Sequence, residues 1–227
     1  MSVVSPSLRA KVRASIEGPV AAFFIRLRLT PNMLTLIGFG ISVIGAVLAA
    51  ANSWLLAALV VAFGAVFDLF DGALARATGR TSRLGAFLDS TFDRAGEAVV
   101  YLGVAYAYLR YGIEFGGFLA AIAMAAAFMV SYTRAKSESL GFTPGTGMAN
   151  VGLAPREVRT AILVVGLLAA GLLGGFTQVQ CIAAPCPPVF DSGGMILTIA
   201  LGLIALLATV TVIQRIFHVY QQAKKEP

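Results

Sequence analysis

The stretch from residue 68 to residue 93, DLFDGALARATGRTSRLGAFLDSTFD, sets four carboxylates inside otherwise apolar sequence. Asp68 and Asp71 are three residues apart and Asp89 and Asp93 four apart, so each pair shares one face of a helix. An unpaired acid at the centre of a membrane helix costs roughly 2.5–3.5 kcal/mol on insertion scales, so four left alone would cost on the order of 10 kcal/mol. Something positive must stand among them. Two divalent metal ions, held by oxygen ligands from two facing helices, meet that need. Asp68, Asp71 and Asp89 read as metal ligands. Asp93, one turn beyond Asp89, is available as a further ligand or as a general base.

The rest of the chain supplies the apolar setting. Its 227 residues suffice for one domain. They are 58% hydrophobic and 12% charged, about half the charge of a soluble protein. With a mean hydropathy of +0.85 this describes an all-α, polytopic integral membrane protein. Six segments come near the roughly 20 residues a bilayer requires: 33–51, 54–75, 86–109, 116–136, 158–175 and 194–217. Residues 7–27 mix Arg9, Lys11 and Arg13 with Leu8, Val12, Ile16, Phe23 and Phe24, and before Pro19 they read as an amphipathic helix lying on the membrane surface. The apolar run 20–29 is broken by Arg26 and Arg28 and does not read as a cleavable signal peptide. The expected organisation is a juxtamembrane N-terminal segment over 1–31 and a six-helix membrane domain over 32–227.

Six spans put both termini on one side. That side carries every one of the 17 Lys and Arg residues except Arg110, which by the positive-inside rule makes it the cytoplasm. The termini and the acidic stretch therefore face the cytoplasm across the cell membrane. The net charge of +6 is a topology signal and an attraction to anionic headgroups. It excludes a nucleic-acid reading, because the basic residues border lipid spans.

The second span ends in the first acid pair and the third begins with the second, with the polar turn TGRTSR between them. This hairpin folds the two pairs toward each other, and Gly72 and Gly85 leave the backbone open to close approach. Gly171 with Gly175, and Ala120, Ala123 and Ala127, read as close helix packing. Trp54 and Tyr111 read as interfacial anchors on the outer side. The Gly-rich loop 141–152 fails the dinucleotide pattern, since Asn150 stands where the third glycine belongs. His218 reads as a surface residue. Cys181 and Cys186 lie in the outer loop 176–193, where a disulfide and two free thiols both fit.

At every defined position the acidic stretch resembles the signature of the CDP-alcohol phosphotransferases, integral membrane enzymes that make phospholipids from CDP-linked lipids. Those positions are Asp68, Asp71, Gly72, Ala75, Arg76, Gly85, Asp89 and Asp93. A transporter or ion pathway built on the same acids, the reading from another class, would not call for Gly72, Arg76 and Gly85. The resemblance implies two Mg2+ ions, with Mn2+ as the alternative, Asp93 as the base, and attack of an alcohol on the lipid-side phosphorus with CMP leaving. It places Gly72, Ala75 and Arg76 along the nucleotide. Upstream, LTPNMLT resembles a segment near the cytidine site of related enzymes, through Asn32 and Thr35. The implied CDP-lipid set is thus Asn32, Thr35, Asp68, Gly72, Ala75, Arg76 and Gly85.

A second constellation concerns the acceptor. SYTRAKSESLG places Arg134 and Lys136 at the end of the fourth span, LAPREVR places Arg156 and Arg159 at the start of the fifth, and VIQRIFHVY places Arg215 at the end of the sixth. Guanidinium groups suit a phosphate dianion bidentately. These segments resemble the bacterial phosphatidylinositol-phosphate synthase branch, which implies Arg134, Arg159 and Arg215 as the phosphate-binding set, with Arg156 and Lys136 beside them. Pro155 and Val158 stand where that branch carries acids. The expectation is transfer of a phosphatidyl group from CDP-diacylglycerol, or of its archaeal ether-lipid counterpart, to a phosphorylated polyol. Inositol 1-phosphate is the first choice and glycerol 3-phosphate, as in phosphatidylglycerophosphate synthesis, the second. A homodimer is implied by the resemblance.

The charge asymmetry makes a direct prediction. An impermeant maleimide applied to intact cells after mild reduction should label Cys181 and Cys186; labelling only after lysis would reverse the topology.

Overall fold

The computed structural model describes residues 18–19, 22–79, 82–142, 148, 151–177 and 189–224. Within them each apolar run forms one long helix. These are α1 (Pro31–Ala50), α2 (Trp54–Thr78), α3 (Arg83–Arg110), α4 (Glu114–Ser139), α5 (Arg156–Leu172) and α6 (Ser192–Ala223). A short antiparallel ribbon, β1 (Phe176–Thr177) with β2 (Val189–Phe190), precedes α6 and pairs Phe176 with Phe190 and Thr177 with Val189. The helices coincide with the six expected segments. The largest difference is at the end of α6, which continues to Ala223 through polar turns past residue 217.

The helix starts follow local chemistry. Thr30 caps α1, its Oγ1 accepting from the Met33 amide at 3.3 Å, and Pro31 occupies the first turn, where its missing N–H does no harm. Ser82 caps α3, with Oγ accepting from the Gly85 amide at 2.9 Å. The turn between α3 and α4 passes through Gly112 at φ +73°, a left-handed conformation that a Cβ would strain.

Packing divides the bundle into two halves. α1 lies against α2 and α3, while α4 and α5 both lie against α6; α3 meets α4 and α2 meets α5 along the seam. Small residues allow the close approaches. Ala120, Ala123 and Ala127 of α4 are buried in the main core, as expected for close packing. A Cβ on Gly171 would press into the Leu55 backbone, and one on Gly103 would collide with the Ala46 carbonyl. The outward faces remain apolar: Phe115, Phe118, Ile199, Leu206 and Leu172 are all exposed. An exterior of this kind suits hydrocarbon rather than water. By length and composition α1, α4 and α6 are long and apolar enough to cross a membrane.

One expectation needs correction. Trp54 is not an interfacial anchor. It is 3% exposed and stacks edge-on against Phe176 at 5.3 Å, because the ribbon folds Phe176 back over the ends of α2 and α3. Tyr111 packs against the same core and accepts a hydrogen bond from Asn52 at 3.0 Å. The N-terminal amphipathic helix falls mostly outside the described residues, as do residues 178–188 of the outer loop, with Cys181 and Cys186. Of the former, Phe24 is described; it is buried against Phe67 and Phe70 of α2.

The α1–α3 crossing is testable. Gly103→Val should destabilise the protein by ~1–3 kcal/mol through overpacking. Gly40→Ala, which faces open space, should be neutral or slightly stabilising. Thermal unfolding in detergent compares the two.

Candidate active site

The turn between α2 and α3 brings the acid pairs together at one end of the bundle. Asp68 leans on α1: a Cβ at Gly38 would stand 3.0 Å from its Oδ1. Asn32 meets the start of α3, where a Cβ at Gly85 would stand 3.2 Å from Asn32 Oδ1. The Thr35 hydroxyl donates to the Pro31 carbonyl at 3.2 Å. Asn32, Gly85 and the acid pairs thus occupy one end of α1–α3, as the sequence implied. Asp71, Gly72, Ala75 and Arg76 continue α2 as helix, and their side-chain placement lies outside the described residues.

Asp68 and Asp93 do not stand unpaired. Arg156, from the first turn of α5, donates through Nη2 to Asp68 Oδ2 at 2.7 Å and pairs through Nη1 with Asp93 Oδ2 at 2.7 Å. Arg94 approaches the same Asp93 oxygen at 3.5 Å. Asp89 is within electrostatic range of both Asp68 and Asp93. Carboxylates from two helices therefore converge on a position already taken by one cation. Oxygen donors arranged in this way suit a hard divalent ion, so the residues fit the metal the sequence called for. Among the described residues no three acids or other metal-ligating side chains form a complete ligand set; the Asp71 carboxylate is not among them.

Sequence reasoning missed Glu97. It lies one turn beyond Asp93 and takes both ends of the Arg159 guanidinium, Nε to Oε1 and Nη2 to Oε2, each at 2.8 Å. Arg159 Nη1 donates to the Ala154 carbonyl at 2.8 Å, and Tyr101 lies within electrostatic range of the same guanidinium. Arg159 is 1% exposed. The signal was present: Asp89, Asp93, Glu97 and Tyr101 recur every four residues on one face of α3.

The five basic acceptor candidates are placed as follows. Arg215, buried in α6, donates from Nε to the Val151 carbonyl at 2.9 Å and from Nη1 to the Val130 carbonyl, tying α4 to the loop before α5. Thr211 holds the same loop by accepting from the Leu153 and Ala154 amides. Arg134 pairs with Glu138 one turn on, both 45% exposed, a contact worth little in stability. Lys136 is exposed in the last turn of α4. Arg215 is within electrostatic range of Arg134, Arg159 and Arg94. The structure therefore gathers Arg134, Arg159 and Arg215 into one cationic region, but binds Arg159 and Arg215 into the protein itself. Among the described residues, Arg156 alone of the five pairs with the motif aspartates. A cleft lined by Ser42, Asp68, Glu97, Arg156 and Thr160 among others lies beside the Arg156–Asp68 pair.

Acids on two adjoining helices and arginines borne on the last three, within an apolar helical bundle, suit a lipid-handling transferase. The chain belongs to the CDP-alcohol phosphatidyltransferase family, whose model matches residues 28–220. It is 32% identical over 212 residues to the archaetidylinositol phosphate synthase of Pyrococcus horikoshii, spanning 93% of this chain and 94% of that protein. It is 35% identical over 213 residues to the phosphatidylinositol phosphate synthase of Streptomyces avermitilis, spanning 90% and 78%. Among solved structures it resembles the Mycobacterium tuberculosis phosphatidylinositol phosphate synthase with CDP-DAG bound. The TM-score is 0.74 at 27% identity, over 91% of this chain and 94% of that one. The same synthase in complex with manganese and citrate gives a TM-score of 0.74 at 27% identity, over 90% and 89%.

The Glu97–Arg159 pair yields a stability prediction. Glu97→Ala leaves a buried guanidinium uncompensated and should cost ~3–5 kcal/mol. Replacing both residues by Met should recover most of that loss. Thermal unfolding of the single and double variants decides it.

Proposed function

We propose that this enzyme transfers a phosphatidyl group, or its ether-lipid counterpart, from a CDP-activated lipid to inositol 1-phosphate, releasing CMP. The observation that carries the reading is the meeting of two charge sets: Arg156 of α5 pairs with acids of α2 and α3, and Arg134, Arg159 and Arg215 stand within electrostatic range as a cationic region beyond it. The acids suit an activated diphosphate and the cationic region a phosphorylated acceptor. Free inositol or serine would leave the cationic region without an anion. The relatives support the acceptor, being named as synthases of phosphatidylinositol phosphate or archaetidylinositol phosphate.

Asp68, Asp71, Asp89 and Asp93 would hold two divalent ions, Mg2+ or Mn2+, which when bound neutralise the diphosphate and stabilise the leaving CMP. The manganese complex of the mycobacterial synthase supports this. Asp93 takes the proton of the acceptor hydroxyl as that oxygen forms its bond to the lipid-side phosphorus. The bond from phosphorus to the CMP oxygen breaks in the same transfer. Gly85 leaves room beside Asn32 for the nucleotide, with Thr35, Gly72, Ala75 and Arg76 along it. Arg134, Arg159, Arg215, Arg156 and Lys136 draw the acceptor phosphate, Arg134 and Lys136 from the exposed end of α4.

In this reading all six helices span the cell membrane within a 32–227 domain, and the cleft opens to the cytoplasm. Even the 17-residue α5 reaches about 25 Å, near the lower limit for a span. The homodimer implied by the family resemblance belongs to the same proposal.

A CMP-release assay with purified protein tests the reading. CDP-diacylglycerol with inositol 1-phosphate should give the fastest release, glycerol 3-phosphate less, and free inositol or serine none. EDTA or Asp71→Asn should abolish release. Equal use of free inositol would place the enzyme elsewhere in the family, and solute flux without CMP release would make it a transporter.

A further inference from the structure

Arg156 holds an unusual position. It stands in the first turn of α5, where the helix dipole disfavours a cation. Arg159, three residues on, fastens that turn to Glu97. So anchored, Arg156 places one terminal nitrogen on Asp68 and the other on Asp93, each at 2.7 Å, and thereby links three helices. Both oxygens it occupies belong to residues read above as metal ligands. A divalent ion and this guanidinium compete for the same lone pairs, and their mutual repulsion forbids both from taking them in full.

We propose that Arg156 is the internal counter-ion of the metal site: metal binding displaces it, and the released guanidinium then takes the acceptor's phosphate in the same cleft. The proposal rests on the metal-binding reading of the four aspartates. A charge freed in a partly buried cleft needs a new anion. Arg156 already lines the cleft beside Asp68, and a cationic region that includes Arg159, three residues on, surrounds Arg215. Metal and acceptor would then favour each other, since a ligand that occupies Arg156 removes the metal's competitor. By linkage the coupling is reciprocal.

The test is a Mn2+ titration followed by electron paramagnetic resonance on the full-length protein in nanodiscs, with and without inositol 1-phosphate. Wild type should bind Mn2+ about fivefold or more tightly when the acceptor is present. Arg156→Gln should bind Mn2+ about tenfold tighter than wild type without acceptor, and the acceptor should no longer change that affinity. Should Arg156→Gln not fold, Arg156→Lys, which keeps a charge but loses the fork, is measured in the same way. Unchanged or weaker Mn2+ affinity in the variant, or no acceptor effect in wild type, overturns the exchange. Asp89→Asn separates the two claims. If wild type binds no Mn2+, or if Asp89→Asn binds it as wild type does, the metal reading itself has failed.

Discussion

The paired contact between Glu97 and Arg159 is the interaction on which the cleft depends. It is buried, bidentate and shared with the Ala154 carbonyl, and it fixes the start of α5 against the middle of α3. One turn away on each helix, Asp93 and Arg156 repeat the pairing in a more open setting. Two acids four residues apart thus meet two arginines three residues apart, and charge joins the start of α5 to α3 while α5 packs on α2 and α6. In low dielectric such a pair contributes little net stability over an apolar one, but its removal from one side only is severe. Its value here is location.

Apolar packing supplies the frame around that contact. Gly103 lets α1 and α3 touch at Ala46, and Gly38 lets Asp68 lie directly on α1. At the opposite end Phe176 closes the bundle over Trp54 and Tyr108. The acids are therefore borne on helices that have little freedom to shift along one another, a requirement for any site built from several elements.

Much of this was legible in the sequence. The six helices follow from apolar runs bounded by charge, glycine and capping residues, and the α2–α3 hairpin from the polar turn between two acid pairs. Trp54 was misread because a tryptophan at the end of an apolar run looks the same whether it faces lipid headgroups or a ribbon folded over it. That ribbon joins strands of only two residues each, too short to show a pattern. Glu97 was overlooked although it continues the four-residue spacing of Asp89 and Asp93, since nothing in the sequence said that Arg159 would turn inward to meet it. The arginines were visible as charges; which would face the cleft and which would hold the backbone depended on tertiary contacts at Val130, Val151 and Ala154.

The seam between the two half-bundles carries one further consequence. The acids belong to the first half of the chain, on α2 and α3, and the arginines reaching toward them from α5 belong to the second. On the proposed reading, an ancestral enzyme of this architecture could change its taste for alcohols by drift in the last three helices, leaving the aspartates of α2 and α3 untouched. Among the ion pairs of the described residues, divergence would be limited at the start of α5, where each arginine answers to an acid on the other side. A lineage could revise most of the second half freely, but these contacts would have to change in step or not at all.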